Sequence, residues 1–246
     1  MLFSPVRLAV AFPVYYLPMA RELPIFPLPI VLFPGAPQPL HIFEPRYRQL
    51  LQDCLAGDRR FGIAYVAPDP APDADPAPNP GDVGCVALIQ SNQPLPDGRS
   101  NVLTVGERRF VLRDWISSTR PYRVAEIEEF DDDPTDATEV TTLAADVRDG
   151  FGRLARALGV LTEREDEEIE LATDPQLLSF QVAASLELEA PAKQALQAIR
   201  STSARLRQLA SLLGPVAADA ERRAAVRQQA RGNGRGGRHP EIERAT

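Results

Sequence analysis

Few residues in this chain could carry nucleophilic or acid–base chemistry, and they lie far apart. Lysine occurs once among 27 basic residues, as Lys193 in Ala-Pro-Ala-Lys-Gln. A phosphate-binding loop places lysine directly after glycine and before serine or threonine, so these 246 residues contain no such ATP site. A Ser-Lys dyad would have to use the same lysine, and the chain has no glycine-flanked nucleophilic serine. We expect Lys193 to be an exposed lysine at a helix start.

Histidine and cysteine each occur twice. Cys54 and Cys85 are too few for a four-ligand zinc site and do not form Cys-x-x-Cys, so we expect two buried, reduced thiols. His41 falls between two apolar residues and is expected to be structural, and His239 lies near the C-terminus. The sequence therefore predicts no metal site, no cofactor and no catalytic residue.

Two acidic runs and one basic segment could bind charged ligands. The run from Glu126 to Asp136 lacks the glycine and the spacing of a calcium loop, and residues 163–168 are similarly acidic; both are predicted to be solvated. The segment Arg231–Arg238 resembles a short RGG-type segment that can contact single-stranded nucleic acid. It has no aromatic residue, and residues 68–140 carry 6 basic against 15 acidic residues. We therefore do not expect nucleic acid to be the partner.

The elements that would position these residues are mostly strands before residue 132. One helix interrupts them: Pro45 lies in its first turn, an apolar stripe runs from Tyr47 to Leu55, and Gly57 ends it. Gly106-Glu107 is predicted to form a bulge or a tight turn between two strands. The predicted strands are Leu23–Leu28, Pro39–Phe43, Phe61–Val66, Val83–Gln90, Asn101–Val105, Arg109–Trp115 and Tyr122–Phe130.

After Asp136 the apolar residues recur at helical spacing. A first helix carries the stripe from Val140 to Leu158, and a second opens after Thr173-Asp174-Pro175. A third is predicted to begin near Pro191 and to stop at Gly214-Pro215. The sequence therefore predicts a β-rich domain followed by an α-helical one.

The predicted organisation has four parts. Residues 1–19 are expected to be unstructured or to precede a true start at Met19, because the apolar stretch there is too short to span a bilayer and contains two prolines. A β domain over 20–132 would include a disordered, proline-rich loop at 67–81. A helical subdomain would cover 133–214, and a helix end with a disordered basic tail 215–246. We expect no membrane association and a cytoplasmic location.

An ordered set of motifs makes the chain recognisable over about residues 20–213. The segments are Glu22-Leu-Pro-Ile-Phe-Pro-Leu-Pro-Ile-Val-Leu-Phe-Pro-Gly35, Pro39-Leu-His-Ile-Phe-Glu-Pro-Arg-Tyr-Arg48, Asp58-Arg-Arg-Phe-Gly62, Val83-Gly-Cys85, Val105-Gly-Glu-Arg-Arg-Phe110, Ser179-Phe-Gln-Val-Ala-Ala184, Lys193-Gln194 and Arg205-Leu206. In this order they resemble the N-terminal, substrate-binding domain of Lon proteases in its free-standing bacterial form.

The resemblance implies an α+β fold, a PUA-like six-stranded pseudo-barrel followed by an α-helical subdomain. It also implies a non-enzymatic module that binds unfolded or damaged polypeptide segments, or that serves as an adaptor for a Lon-type protease. The ATPase and Ser-Lys protease domains of Lon have no counterpart in these residues. An RNA-binding PUA-like protein is the alternative, because such barrels can bind RNA. A hydrolase acting on its own is a third hypothesis, which a peptidase assay would test.

The resemblance also assigns roles to residues. Peptide capture would use exposed apolar side chains in a groove or at a sheet edge, for which Phe26 and Phe33 are the candidates. Glu44, Arg46 and Glu107 are expected to pair across the barrel, and Gly106 to permit a turn. The full set of motif residues expected to be structural is Phe43, Glu44, Pro45, Arg46, Tyr47, Gly106, Glu107, Arg108 and Phe110.

Overall fold

A computed structural model describes residues 21–68, 75–134, 136–163 and 170–234. The predictions for residues 1–19, for the middle of the proline-rich loop, for the second acidic run beyond Glu163 and for the tail from 235 onward lie outside the described residues. Within the described ranges the molecule is an α+β structure with one six-stranded sheet and five helices, which confirms the predicted fold class.

The sheet closes on itself through its longest strand. The strands are β1 Arg21–Leu28, β2 Pro37–Ile42, β3 Arg60–Tyr65, β4 Val83–Pro94, β5 Ser100–Ile116 and β6 Val124–Glu129, in the order β2-β5-β4-β3-β1-β6 with β6 also paired to β5. The first half of β5 pairs with β2 and its second half with β6. As a result β5, β4, β3, β1 and β6 form a barrel, and β2 lies at an edge.

Two strands predicted on either side of Gly106 are one continuous strand of 17 residues. Cys85 pairs with Arg109 and Ala87 pairs with Gly106, so β5 advances by three residues where β4 advances by two, and β5 contains one extra residue. This is the predicted bulge, and the alternative of a tight turn is wrong. A turn is excluded because both halves of β5 stay hydrogen-bonded to the same neighbour, β4.

Helix α1, Pro45–Ala56, packs against the barrel as its apolar stripe predicts. Pro45 lies in its first turn, where backbone N–H groups have no partner within the helix, so the N–H that proline lacks costs no helical hydrogen bond. It buries Tyr47, Leu50, Leu51 and Cys54, and Gly57 ends it.

Four helices form the second subdomain: α2 Ala137–Thr162, α3 Pro175–Ser185, α4 Ala190–Ala198 and α5 Thr202–Gly234. Asp136 and Asp174 cap the N-termini of α2 and α3 by accepting hydrogen bonds from backbone N–H groups. Helices α2 and α5 run side by side in the same direction, since ion pairs join their starts and their ends. None of the helices described is both long enough and apolar enough to cross a lipid bilayer.

The prediction of one helix from Pro191 to Gly214 is wrong at two places. The chain breaks at Ile199–Ser201, where the carbonyl oxygens of Gln197 and Ile199 accept hydrogen bonds from Arg109 of the barrel instead of from the next helical turn. Helix α5 also continues through Pro215 to Gly234. Alanines buried beyond the proline extend the packing against α2 (Ala217, Ala220 and Ala224), and this burial offsets the one backbone bond that proline removes.

The prediction of a disordered loop over 67–81 is wrong for its second half. Asp75 forms ion pairs with Arg46 and Arg123, and Pro78 is buried. The physical reason is that residues between and after the prolines bond to the barrel. Besides the Asp75 ion pairs, the N–H of Gly81 donates a hydrogen bond to the carbonyl of Leu112 at 2.7 Å. This part of the loop is therefore packed on the barrel.

Candidate functional site

The two cysteines and the possible metal ligands are the first candidates for a reactive site. Cys54 and Cys85 are both buried and reduced, as predicted. Burial raises the pKa of Cys54 to about 12 and also raises the pKa of Cys85, so neither thiol ionises at neutral pH. Among the residues that the structure describes, no group of three or more His, Cys, Asp or Glu side chains could hold a metal ion.

Lys193 is half-buried, which corrects the prediction of an exposed lysine. Its Nζ donates a hydrogen bond to the carbonyl of Ala184 at 2.9 Å, and burial lowers its pKa. That carbonyl is one of the last in α3, so Lys193 satisfies a helix-end group that has no helical partner. Its role here is structural.

An apolar groove of about 460 Å³ lies between the end of β1 and the segment formed by β2 and the start of α1. Phe26 and Tyr47 form its floor, with ring centroids 4.0 Å apart. Its apolar walls are Leu28, Pro29, Ile30, Pro39, Leu40 and Phe43. We call this the β1–β2 groove.

Phe43 stands at the rim of the β1–β2 groove with 58% of its surface exposed. No other Phe, Tyr or Trp side chain among the described residues is exposed to this degree. Its ring stacks on His41 at 6.1 Å between centroids, and His41 Nδ1 lies 2.8 Å from Oδ1 of Asn101. Leu103, 40% exposed, extends the apolar surface from β2 onto β5. The site therefore presents an oriented aromatic ring next to an apolar cleft.

The position of β2 at the sheet edge limits how a ligand could bind there. An exposed edge strand normally offers unpaired N–H and C=O groups to any passing chain. Pro37 and Pro39 have no N–H, so this edge lacks two of its donors. A ligand at this edge would therefore be contacted mainly by side chains in the groove and not through the addition of a seventh strand.

The two predicted peptide-contact residues are both buried, and the prediction that they are exposed is wrong. Phe33 is 1% exposed and packs against Phe180 of α3 at 6.3 Å, within the core shared with the helices. Phe26 is 7% exposed, but it borders the groove as part of its floor. Phe43, which the motif comparison treats as structural, is the residue at the surface.

A local signal for the exposure of Phe43 is present in the sequence. An apolar residue just before a helix N-cap is usually covered by an apolar residue at the fourth helical position. With Glu44 at the N-cap and Pro45 at the first position of α1, the fourth position is Arg48. Arg48 is not the apolar partner that this pattern supplies, and the sequence therefore favours an exposed ring at Phe43.

The motif charges pair differently from the prediction. Arg46 contacts Glu44 at 3.0 Å, but Glu107 forms a two-armed ion pair with Arg60 of β3, at 2.7 and 2.8 Å. This hydrogen bonding lowers the pKa of Glu107. Arg108 pairs with Glu129 at 3.1 Å. The predicted pairing across the barrel between Glu107 and the residues of α1 is therefore wrong, because the neighbouring strand supplies a nearer partner.

Gly106 and Phe110 occupy tightly packed positions in β5. A Cβ on Gly106 would lie 2.2 Å from the carbonyl oxygen of Phe33, because residues 33–36 cross the strand there. Close approach, and not a turn, is the reason for glycine. Phe110 is fully buried over Gly62 and Gly84, where added Cβ atoms would come within 3 Å of its ring.

One member of the acidic run, Asp132, has a side chain that is only 7% exposed, which corrects the prediction that the run is solvated. Its carboxylate accepts hydrogen bonds from Arg109 of β5, from Arg205 of α5 at 2.5 Å and from Thr202. The two arginines are 1% and 0% exposed and lie over the ring of Phe180. This network fixes the barrel against the helices, and with it the segment that leads into β2.

A second apolar groove, of about 570 Å³, lies between α2, α5 and residues 185–188. Leu158 and Val216 stand at its surface, 45% and 50% exposed. It is larger than the β1–β2 groove, but it has no exposed aromatic ring among its lining residues. We call it the helical groove.

Residues 22–214 match the family model described as the ATP-dependent protease La (LON) substrate-binding domain. Among curated proteins, the Lon protease of Roseiflexus castenholzii is 28% identical over 192 residues, and Lon protease 2 of Herpetosiphon aurantiacus is 24% identical over 193 residues. Each alignment covers 78% of this chain, and 24% and 23% of the respective relative. The chain thus spans about a quarter of the length of these relatives.

Two solved structures share the fold. A Lon N-terminal domain protein from Xanthomonas campestris matches with a TM-score of 0.54 at 24% identity, and the N-terminal domain of a Mycobacterium avium complex Lon protease with 0.59 at 19% identity. Each match covers 78% of this chain and 98% of the other. The β1–β2 groove lies wholly inside the residues matched by the family model, whereas the helical groove extends past its end at 214.

Proposed function

The chain belongs to the family of Lon substrate-binding domains, and on this premise we propose that it is a non-enzymatic module that binds unfolded or damaged polypeptide segments at the β1–β2 groove. The observation that carries the proposal is the exposed Phe43 ring beside an apolar cleft, within the part of the chain that matches the family. Folded proteins bury most of their large apolar side chains, and unfolded ones expose them. A site that selects such side chains therefore distinguishes unfolded from folded protein.

The size of the groove is in keeping with capture of one or two side chains at a time. Burying one large apolar side chain contributes about 1.5–3 kcal/mol, and association itself opposes binding by several kcal/mol. Two such side chains contribute at most about 6 kcal/mol before this cost is subtracted, so we expect weak binding, with dissociation constants on the order of millimolar or weaker for short segments. Weak binding suits a module that samples many chains and releases them.

We further propose that the bound segment is passed to a Lon-type protease in the cytoplasm. The family and its curated relatives support this partner, since the matched relatives are Lon proteases. Free thiols at both cysteines agree with a reducing compartment. Co-purification of a Lon-type protease with the tagged chain from its native host would test the partnership.

Replacing Phe43 with serine is expected to weaken binding of an apolar peptide about tenfold, because the variant loses most of the transfer free energy of one aromatic side chain. The probe is an uncharged, fluorescently labelled peptide in which Phe and Leu alternate with Ser and Gly. Fluorescence anisotropy gives its dissociation constant. Since Phe43 is already exposed, the substitution should not lower stability.

Leu177→Ser provides the matched control. Leu177 is also exposed, at 47%, but it belongs to α3 and does not line the β1–β2 groove. The control should bind the peptide as the wild type does. Equal affinities for the wild type and the Phe43→Ser variant would exclude the groove as the site.

A further inference from the structure

The segment Asp75–Pro80 borders the β1–β2 groove and is attached in two different ways. At its start, the Asp75 carboxylate bridges two arginines: one oxygen accepts from Arg46 at 2.5 Å and the other from Arg123 at 2.6 Å. The backbone carbonyl of Asp75 accepts a further hydrogen bond from Arg123 at 3.2 Å. These contacts hold the segment against the start of α1 and the residue just before β6.

The other end is held by burial and by backbone hydrogen bonds. Pro78 is buried, and Asn79 and Asp82 close a turn with two hydrogen bonds, at 2.7 and 3.0 Å. The carbonyl of Asp82 accepts from the N–H of Leu112, which joins the turn to β5. Among the described residues no ion pair holds this end, although one of its bonds goes to the Asp82 carboxylate. The two ends should therefore respond differently to salt.

The charged end is the one next to the groove. Asp75 and Pro76 line it, together with the ring of Tyr47 and the face of Phe26. Arg46, which binds Asp75, also lies over the Tyr47 ring, with Cζ 4.6 Å from the centroid. Release of Asp75 would remove one wall of the groove beside these two rings, which are now only 6% and 7% exposed.

We propose that Asp75–Pro80 is an autoinhibitory strap: its ion pairs to Arg46 and Arg123 keep the β1–β2 groove narrow, and their loss opens the groove to apolar segments. The proposal rests on the proposed function, because it concerns access to the same groove. It adds a regulatory element within the chain and two further contact residues, Phe26 and Tyr47, that become available when the strap is released.

The solvent exposure of the three charged side chains indicates how strong the ion pairs of the strap are. The side chains of Arg46, Arg123 and Asp75 are 34%, 38% and 46% exposed, and exposed ion pairs are weak and screened by salt. A pair of such contacts can be broken by thermal motion or by competition from another anion. Their removal is therefore expected to tighten peptide binding by about two- to tenfold, and not by orders of magnitude.

Asp75→Asn, tested in the full chain with the uncharged peptide, is the direct experiment. Asp219→Asn is the matched control, because Asp219 is also a half-exposed carboxylate that bridges two arginines, Arg222 and Arg223, but it lies in α5 away from the groove. We expect tighter binding for Asp75→Asn and unchanged binding for Asp219→Asn. Equal affinities for the wild type and Asp75→Asn would overturn the strap.

Salt provides a second test, because it weakens the ion pairs of Asp75 in the wild-type protein itself. In about 1 M sodium chloride the screening length falls to roughly 3 Å, so the wild type should bind the uncharged peptide as tightly as Asp75→Asn does. The variant serves as the reference for the general effect of salt on apolar binding. If the ratio of the two dissociation constants, wild type to Asp75→Asn, stays constant from low to high salt, the proposal is wrong.

The two proposals can fail separately. If binding depends on Phe43 but not on Asp75, the groove is the binding site and the strap is wrong. If neither the wild type nor Asp75→Asn binds the peptide, both are wrong. Binding that Asp75→Asn increases and that Phe43→Ser leaves unchanged would place the strap over some other surface, and would overturn both assignments to this groove.

Discussion

Gly106→Ala is expected to lower the free energy of unfolding by about 3–5 kcal/mol. The added Cβ would lie 2.2 Å from the carbonyl oxygen of Phe33 and 2.9 Å from its carbonyl carbon, and both belong to backbone that cannot rotate away. Overpacking costs about 1–3 kcal/mol. Moving the crossing segment would also weaken two hydrogen bonds, from Gly35 N–H to the Gly106 carbonyl and from Gly106 N–H to the Ala36 carbonyl.

Urea unfolding monitored by circular dichroism measures the change, and Gly214→Ala is the matched control. A Cβ on Gly214 meets nothing within 4 Å, and its position inside α5 favours alanine over glycine by about 1 kcal/mol. The control should therefore be neutral or more stable than the wild type. A Gly106→Ala variant as stable as the wild type would show that residues 33–36 do not cross β5 in this way. Because that segment leads into β2, the same variant should also lose peptide binding.

Asp132→Ala is expected to lower the free energy of unfolding by about 3–5 kcal/mol. The substitution leaves Arg109 and Arg205, both almost fully buried, without their shared counter-charge, and an unpaired buried charge carries a cost of this size. Burial already lowers the pKa of Arg109 to about 10 with the carboxylate in place. The loss of Asp132 removes the main interaction that favours its charged form.

The neighbouring Asp133→Ala is the control for this prediction. The Asp133 side chain is 64% exposed and lies 3.5 Å from a half-exposed arginine, so its removal should change stability by less than about 1 kcal/mol. Urea unfolding again gives both values. Equal effects for the two substitutions would mean that the barrel and the helices are not joined by the buried network.

The order of strands and helices could be predicted from the sequence because it depends on local patterns. Apolar runs of strand length, Pro45 at the start of α1 and the Asp174 cap of α3 are signals within a few residues, and both helices begin where these signals predict. The failures concern long-range contacts. The helix break at Ile199–Ser201 is caused by hydrogen bonds from Arg109, about ninety residues earlier in the chain, and no local pattern encodes it.

The contrast between local patterns and long-range contacts also explains which site residues were predicted correctly. Phe33 is apolar and lies in a proline-rich segment, which favours an exposed position, but the segment folds inward against Phe180. Asp132 lies among exposed acids and differs from them only in its distant partners. The exposure of Phe43 has a local cause, the polar residue at the fourth position of α1, and this is the part of the site that the sequence could have predicted.

Photo-crosslinking with the uncharged peptide, in which a benzophenone replaces one Phe, would show where the peptide binds on the protein. We expect crosslinks to concentrate at residues 26–30 and 39–47, which line the β1–β2 groove, and to shift further onto Phe26 and Tyr47 in Asp75→Asn. Crosslinks confined to Leu154–Leu161 and Leu212–Ala220 would assign binding to the helical groove instead. That result would exclude Phe43 and the β1–β2 groove as the peptide-binding site.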